Sequence, residues 1–107
     1  MAKLEKTLTG NIEEIAENIK ESILKVSYTA TFIDSCSYGN DSCRCTVMVF
    51  ERYSWMGANR ATITITLFSE GDDSVKLTAI ASGGAQGTTK LNTYGDEKII
   101  KELDKIL

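Results

Sequence analysis

"ATITITLFSEGDDSVKLTAIAS", residues 61–82, decides the fold. Its first half alternates strictly. Ile63, Ile65 and Leu67 fall on one side and Thr62, Thr64 and Thr66 on the other, the period of a strand with one buried face. The second half does the same with Val75, Leu77, Ala79 and Ala81. For the two apolar rows to share a face, paired residue numbers must sum to an even value, because side chains alternate with period two. A loop with an odd number of residues meets that condition. A three-residue loop around Glu70-Gly71-Asp72 is expected, with Gly71 supplying the positive φ such loops need. The Ile/Leu/Val/Ala side is then core, and the Thr side meets solvent or a partner.

Upstream lies "FERYSWMGANR", residues 50–60, a second hairpin. A type II′ turn at Gly57-Ala58 wants Gly first. It would set Met48, Phe50 and Arg52 opposite Leu67, Ile65 and Ile63 on the core side. Cys45, Val47, Val49, Glu51 and Tyr53 would then share the outer face with the Thr row. A three- or five-residue turn would reverse the assignment. In either case the strand at 43–54 is apolar on both faces, so Val47/Val49 or Met48/Phe50 must lie exposed or find cover.

The rest of the chain completes the pattern. Residues 3–9 place Leu4, Lys6 and Leu8 on one side, a weak strand signal, and Thr9-Gly10-Asn11 offers helix-capping side chains. Ile12, Ile15, Ala16, Ile19 and Ile23 follow at helical spacing, with acidic residues near the N-terminus where the helix dipole favours them. "VSYTATFI", residues 26–33, alternates like a strand, and "DSCSYGNDS", residues 34–42, reads as turn chemistry throughout. "GGAQG" after residue 82 reads as a flexible loop. Thr93 and Asp96 stand where a capping box would sit, ahead of a second amphipathic helix through Ile99, Ile100, Leu103, Ile106 and Leu107. The order β-α-β-β-β-β-α predicts an α+β single domain over 1–107: an antiparallel sheet with two helices packed on one face. That topology resembles the TATA-binding-protein-like and helix-grip folds, a likeness that carries no activity with it.

Composition narrows the function. A chain of 107 residues with 42% hydrophobic and 25% charged residues is an ordinary globular domain. No apolar run approaches the roughly 18 residues of a membrane span, and the N-terminal residues lack the apolar stretch of a secretory signal. A cytosolic protein away from membranes is expected. The net charge of −3 argues against nucleic acid, whose binders need a basic face to displace counterions. With no His in the chain, the usual general base at neutral pH and the commonest metal ligand are missing. That places an enzyme last among the readings.

Three groups of residues invite chemistry. Cys36, Cys43 and Cys45 have the spacing C-x6-C-x-C, which fits no zinc module, and a structural zinc site would need a fourth ligand. They are read as free thiols, with no metal and no cofactor. "SGGAQGTTK", residues 82–90, misses the Walker spacing, since Gly83 plus five lands on Thr88. Its Gly83, Gly84 and Gln86 keep a role as backbone donors near a helix N-terminus. Arg44, Arg52 and Arg60, with Tyr53 and Trp55, are the residue types of binding hot spots. Arg–Glu pairs on a strand surface, with Trp55 folded over the hairpin end, are the plainer reading.

At "RCTVMVFERYSWMGANR", "AIASGGAQ" and "NTYGDE" the chain is similar to a family of small uncharacterised bacterial proteins, a domain of unknown function. Its members share an E-R-Y-S…G-x-N-R hairpin, an S-G-G-[SA]-Q loop and an N-T-x-G-[DE] helix start. The resemblance implies a small intracellular stand-alone domain and supplies no catalytic residue. Together these readings favour a non-enzymatic binding or self-association module working through the outer sheet face and the hairpin from Arg44 to Arg60, its partner a second copy, another protein or a small molecule. The alternative is a small-ligand protein with its site between the C-terminal helix, the Gly-rich loop and the sheet.

Overall fold

A computed structural model describes the chain at residues 2–26, 29–54, 59–83, 100–105 and 107. Its elements are β1 (Ala2–Thr9), α1 (Ile12–Val26), β2 (Ala30–Gly39), β3 (Arg44–Ser54), β4 (Asn59–Ser69) and β5 (Ser74–Gly83). A second helix, α2, occupies residues 100–105. The strands form one five-stranded sheet in the order β1-β5-β4-β3-β2, antiparallel at each junction. β1 and β2 are therefore opposite edges, and α1 crosses from one to the other. The expected α+β order β-α-β-β-β-β-α is the order found.

Why α1 starts where it does is visible in its cap. Asn11 Oδ1 accepts the backbone N–H groups of Glu13 (2.9 Å) and Glu14 (3.1 Å), satisfying donors that the first turn leaves without partners. The helix then buries Ile12, Ile19 and Ile23 and turns its charged residues outward. Lys20 sits 4.1 Å above the Phe32 ring, and Phe32 meets Phe50 edge-on at 5.5 Å. α1 thereby covers part of β2, β3 and β4. α2 adds Ile100 and Leu103 to the same core. Lys6 on β1 ties it down by bonding the Asp104 carboxylate (2.8 Å) and main-chain carbonyl (3.2 Å). Both helices thus shield one side of the sheet.

That side is the one the alternation marks. Ile63, Ile65, Leu67, Val75, Leu77, Ala79 and Ala81 are fully buried, as are Phe50 and, nearly, Met48. Each large side chain of this row contributes roughly 1.5–3 kcal/mol by leaving water. The even sum holds: Ile63 pairs Ala81 and Leu67 pairs Leu77. The loop is longer than the expected three residues, however, because the last pair is Ser69↔Val75 and residues 70–74 lie between. Side-chain contacts explain the longer turn. Asp72 Oδ1 accepts the Ser74 N–H (2.9 Å), and Ser69, itself buried, donates its hydroxyl to the Asp72 carbonyl (3.4 Å). Gly71 does take the positive φ, 92°.

The β3/β4 hairpin has the expected faces and a different register. Met48 pairs Ile65 and Phe50 pairs Ile63, two residues away from the pairing of a Gly57-Ala58 turn. Ser54 pairs Asn59, a register that excludes a two-residue turn placed at Gly57-Ala58. Residues 55–58 themselves lie outside the described ones. A shift of two leaves every side chain on its face, so Met48/Phe50 is the buried pair and Val47/Val49 the outer one.

β2 departs furthest from expectation. Val26 ends α1, Ser27 and Tyr28 lie outside the described residues, and the strand runs Ala30–Gly39 through the stretch read as turn. Pairing to β3 overrides the turn-forming composition: Cys36 pairs Val47 and Tyr38 pairs Cys45. Local polar contacts suit this edge. Ser37 and Thr46 share a hydrogen bond (3.0 Å), and Asp34 Oδ1 accepts the Ser35 N–H (2.8 Å) where a bulge inserts Ile33 between the Phe32 and Asp34 pairs. The true turn is Asn40–Cys43, closed by Asn40 N–H to the Cys43 carbonyl (2.8 Å). Gly39 enters it at φ 127°, where a Cβ would collide with the Cys43 carbonyl oxygen. Only glycine fits there.

Candidate functional site

The bulge and the registers fix what the helix-free side of the sheet presents. One row across the strands reads Ile80, Thr64, Val49, Asp34. The next is Thr78, Thr66, Val47, Cys36, and a third is Lys76, Phe68, Cys45, Tyr38. The middle of these rows therefore carries no charge and mixes Val47, Val49 and Phe68 with Thr64, Thr66 and Cys45, while Lys76 and Asp34 stand at row ends. Ile80 and Tyr38 are exposed, while Val47, Val49 and Phe68 are half-buried by their own neighbours on the sheet. Among the described residues, no helix lies on this face.

Charges on this side sit at its edges. Lys3 and Glu5 on β1 bond each other at 3.0 Å. Lys76 is the nearest further cation on that half of the sheet, whereas Asp34 and Glu51 belong to the β2–β3 half. Glu51 lies 3.6 Å from Arg60, across the β3/β4 ladder, and Tyr53 pairs Arg60 in register. This exposed ion pair is the plainer reading of the arginines, and it adds little to stability.

The sequence grouped Arg44, Arg52, Arg60, Tyr53 and Trp55, and the fold separates them. Tyr53 and Arg60 are neighbours on the helix-free face. Arg44 lies on the opposite side at the far end of β3, where it makes an ion pair with Glu13 in the first turn of α1. Arg52 also points to the helix side, in a row with Ala30, Ala61 and Gly83. Its Nε is buried and has no hydrogen-bond partner. Gly83 closes β5 beside it, whereas Trp55, Gly84 and Gln86 lie outside the described residues. Tyr53 and Arg60 thus share the outer face, while Arg44 and Arg52 lie on the inner one, Arg52 in a row that ends at Gly83.

The three cysteines are free, Cys36 and Cys43 exposed and Cys45 half-buried. Cys36 and Cys45 are diagonal neighbours across β2 and β3. Diagonal positions are about 7–8 Å apart, too far for a strain-free disulfide. Among the described residues no group of Cys, Asp and Glu is arranged to hold a metal ion. A shallow hollow of about 140 Å³ lies beside the β4/β5 loop, lined by Phe68, Glu70, Asp72, Ser74 and Lys76.

Phe68 and Ile80 are the residues that sequence reasoning passed over. Their signal was available: both are apolar residues in the polar phase of an alternating strand, where Thr, Lys and Ser otherwise stand.

Residues 1–107 match the family of unknown function DUF6054. The chain belongs to that family. The DUF6054 match spans all 107 residues and assigns no chemistry to any of them. No curated protein and no solved structure matches the chain. No described helix is long and apolar enough to cross a membrane.

Proposed function

We propose that this DUF6054 chain is a non-enzymatic self-association module whose contact surface is the helix-free side of the sheet, with a second copy as its occupant. The observation that carries this reading is the uncharged middle of that side, where Val47, Val49, Phe68 and Ile80 lie among Thr64, Thr66 and Thr78, with charged residues toward its edges. Depletion of charge at the centre, with charged residues at the rim, is the usual anatomy of a protein–protein contact.

Size and charge favour a second copy as the occupant. Four inter-strand gaps of about 4.8 Å and strands about 30 Å long give roughly 600 Å² per copy. Two copies would bury on the order of 1,200 Å², the lower bound for a specific interface. Lys76 lies on one half of the sheet and Asp34 on the other. A two-fold axis running along the strands would bring each Lys76 half over the partner's Asp34 half, as charge complementarity requires.

Amide chemical shifts recorded across a hundredfold dilution test the reading. It expects concentration-dependent shifts at Val47, Val49, Thr64, Thr66 and Ile80, and none along the exposed side of α1. Shifts confined to α1, or none at all, would count against it.

A further inference from the structure

We infer that Lys3 and Asp34 orient the self-associated form: Lys3 of each copy meets Asp34 of the other, and the two symmetry-related ion pairs hold the sheets with their strands aligned. This rests on the reading that the helix-free side meets a second copy, and it adds which way round the copies sit. Its basis is one row of the sheet that is its own complement when reversed.

That row crosses all five strands: Lys3 on β1, Ile80 on β5, Thr64 on β4, Val49 on β3 and Asp34 on β2. From either end inward it goes charge, branched aliphatic side chain, threonine. A two-fold axis along the central strand, β4, sets Thr64 over its twin, Ile80 over Val49 and Lys3 over Asp34. The row of Thr7, Lys76, Phe68, Cys45 and Tyr38 obeys the same axis, with Phe68 over its twin and Lys76 over the uncharged Cys45. In the row between them Glu5 falls over Cys36. Like charges meet in none of the three. An axis across the strands would instead stack each edge on itself, leaving Asp34 over the β2 of the second copy, a strand without a cation.

The reach is sufficient. Stacked sheets lie about 10 Å apart, a gap that a long lysine and a short aspartate span together. Such sheets also cross at about 30°, which carries the ends of the row past each other by roughly 5 Å. The four-carbon stem of lysine covers that offset. Both groups are available for it. Lys3 and Glu5 are 58% and 65% exposed, so their pair holds Lys3 only weakly. Asp34 is exposed, and no ion pair among the described residues engages it. Charge pairs at the rim of a contact decide orientation and partner choice more than affinity.

Charge reversal tests the inference. Asp34→Lys and Lys3→Asp are examined by sedimentation equilibrium at low ionic strength, each alone and then as an equimolar mixture. Alone, each variant sets like charges against each other twice per dimer and associates about tenfold more weakly than the wild type. Mixed, the two variants restore both attractions, and association recovers to within about threefold of the wild type. Asp34→Lys is the sharper arm. It brings the net charge of −3 closer to zero, so it would tighten association if overall repulsion alone governed the contact. Two results overturn the inference and leave the contact surface standing, provided Val49→Lys is monomeric: single variants that associate like the wild type, or a mixture as weak as its components. A wild type that never associates overturns the surface and the orientation together. Both positions are exposed, and matching amide spectra establish that the variants keep the fold.

Discussion

Ile65 and Thr66 are adjacent on β4 and face opposite sides of the sheet, so truncating each to alanine measures how one-sided the core is. Ile65 is wholly buried, opposite Met48 on one flank and Ala79 on the other. Ile65→Ala removes three carbons, worth about 2.4 kcal/mol at roughly 0.8 kcal/mol per group. The cavity adds to this, because Phe50, Ile63 and Leu67 of the same cluster cannot all collapse into it. A total of about 3–4 kcal/mol follows, inside the range of about 2–5 for such truncations. For a chain of this size that lowers the thermal midpoint by roughly 12–18 °C. Thr66→Ala removes a hydroxyl and a methyl from a partly exposed position and should stay within about 0.5 kcal/mol. Urea unfolding with a shared m-value is the assay. Equal losses, or a larger loss for Thr66→Ala, would refute the one-sided core.

Other consequences follow from the same contacts. Gly39→Ala should cost more than about 2 kcal/mol in urea unfolding, because the added Cβ would collide with the Cys43 carbonyl at a positive φ. Asn11→Ala should cost about 1 kcal/mol by removing the cap of α1, and Asn11→Asp should restore most of it. Lys6→Met should cost less than about 1 kcal/mol, with the difference shrinking in high salt, because its partner Asp104 is solvent-exposed. Peptide mapping after thiol labelling should show Cys36, on the proposed contact face, reacting more slowly as protein concentration rises. Cys43, at the hairpin tip, should react at a constant rate. Equal protection of both would argue against a contact confined to the sheet face.

The fold was legible wherever the hydrophobic period was clean. Ile63-Thr64-Ile65-Thr66-Leu67 gave the buried side of β4, and Gly71 marked the turn after it. Register was readable only to the nearest two residues. A shift of two moves Phe50 from Ile65 to Ile63 without changing its face, so alternation cannot detect it. β2 was hidden for a different reason. An edge strand exposed on both faces needs no apolar alternation, so Asp34–Gly39 carries a turn-like composition while its backbone pairs with β3.

The site was half legible. Parity put Arg52 on the core side only for a turn with an even number of residues, whereas parity within β4 and β5 would have found Phe68 and Ile80 on the outer side. The residues that flank Arg52, Ala30 and Ala61 with Gly83 beyond, come from three strands. Only the assembled sheet brings them together.

The claim beneath all of this is that the two sides of the sheet do different work, one folding the chain and the other meeting a second copy. Sedimentation equilibrium tests it on three proteins: the wild type, Val49→Lys on the helix-free face, and Glu17→Lys on the exposed side of α1. The account predicts that the wild type and Glu17→Lys approach twice the 11.7 kDa monomer mass at high concentration, while Val49→Lys stays at the monomer mass. A wild type that remains monomeric throughout, or a dimer that survives Val49→Lys and is lost with Glu17→Lys, would contradict it.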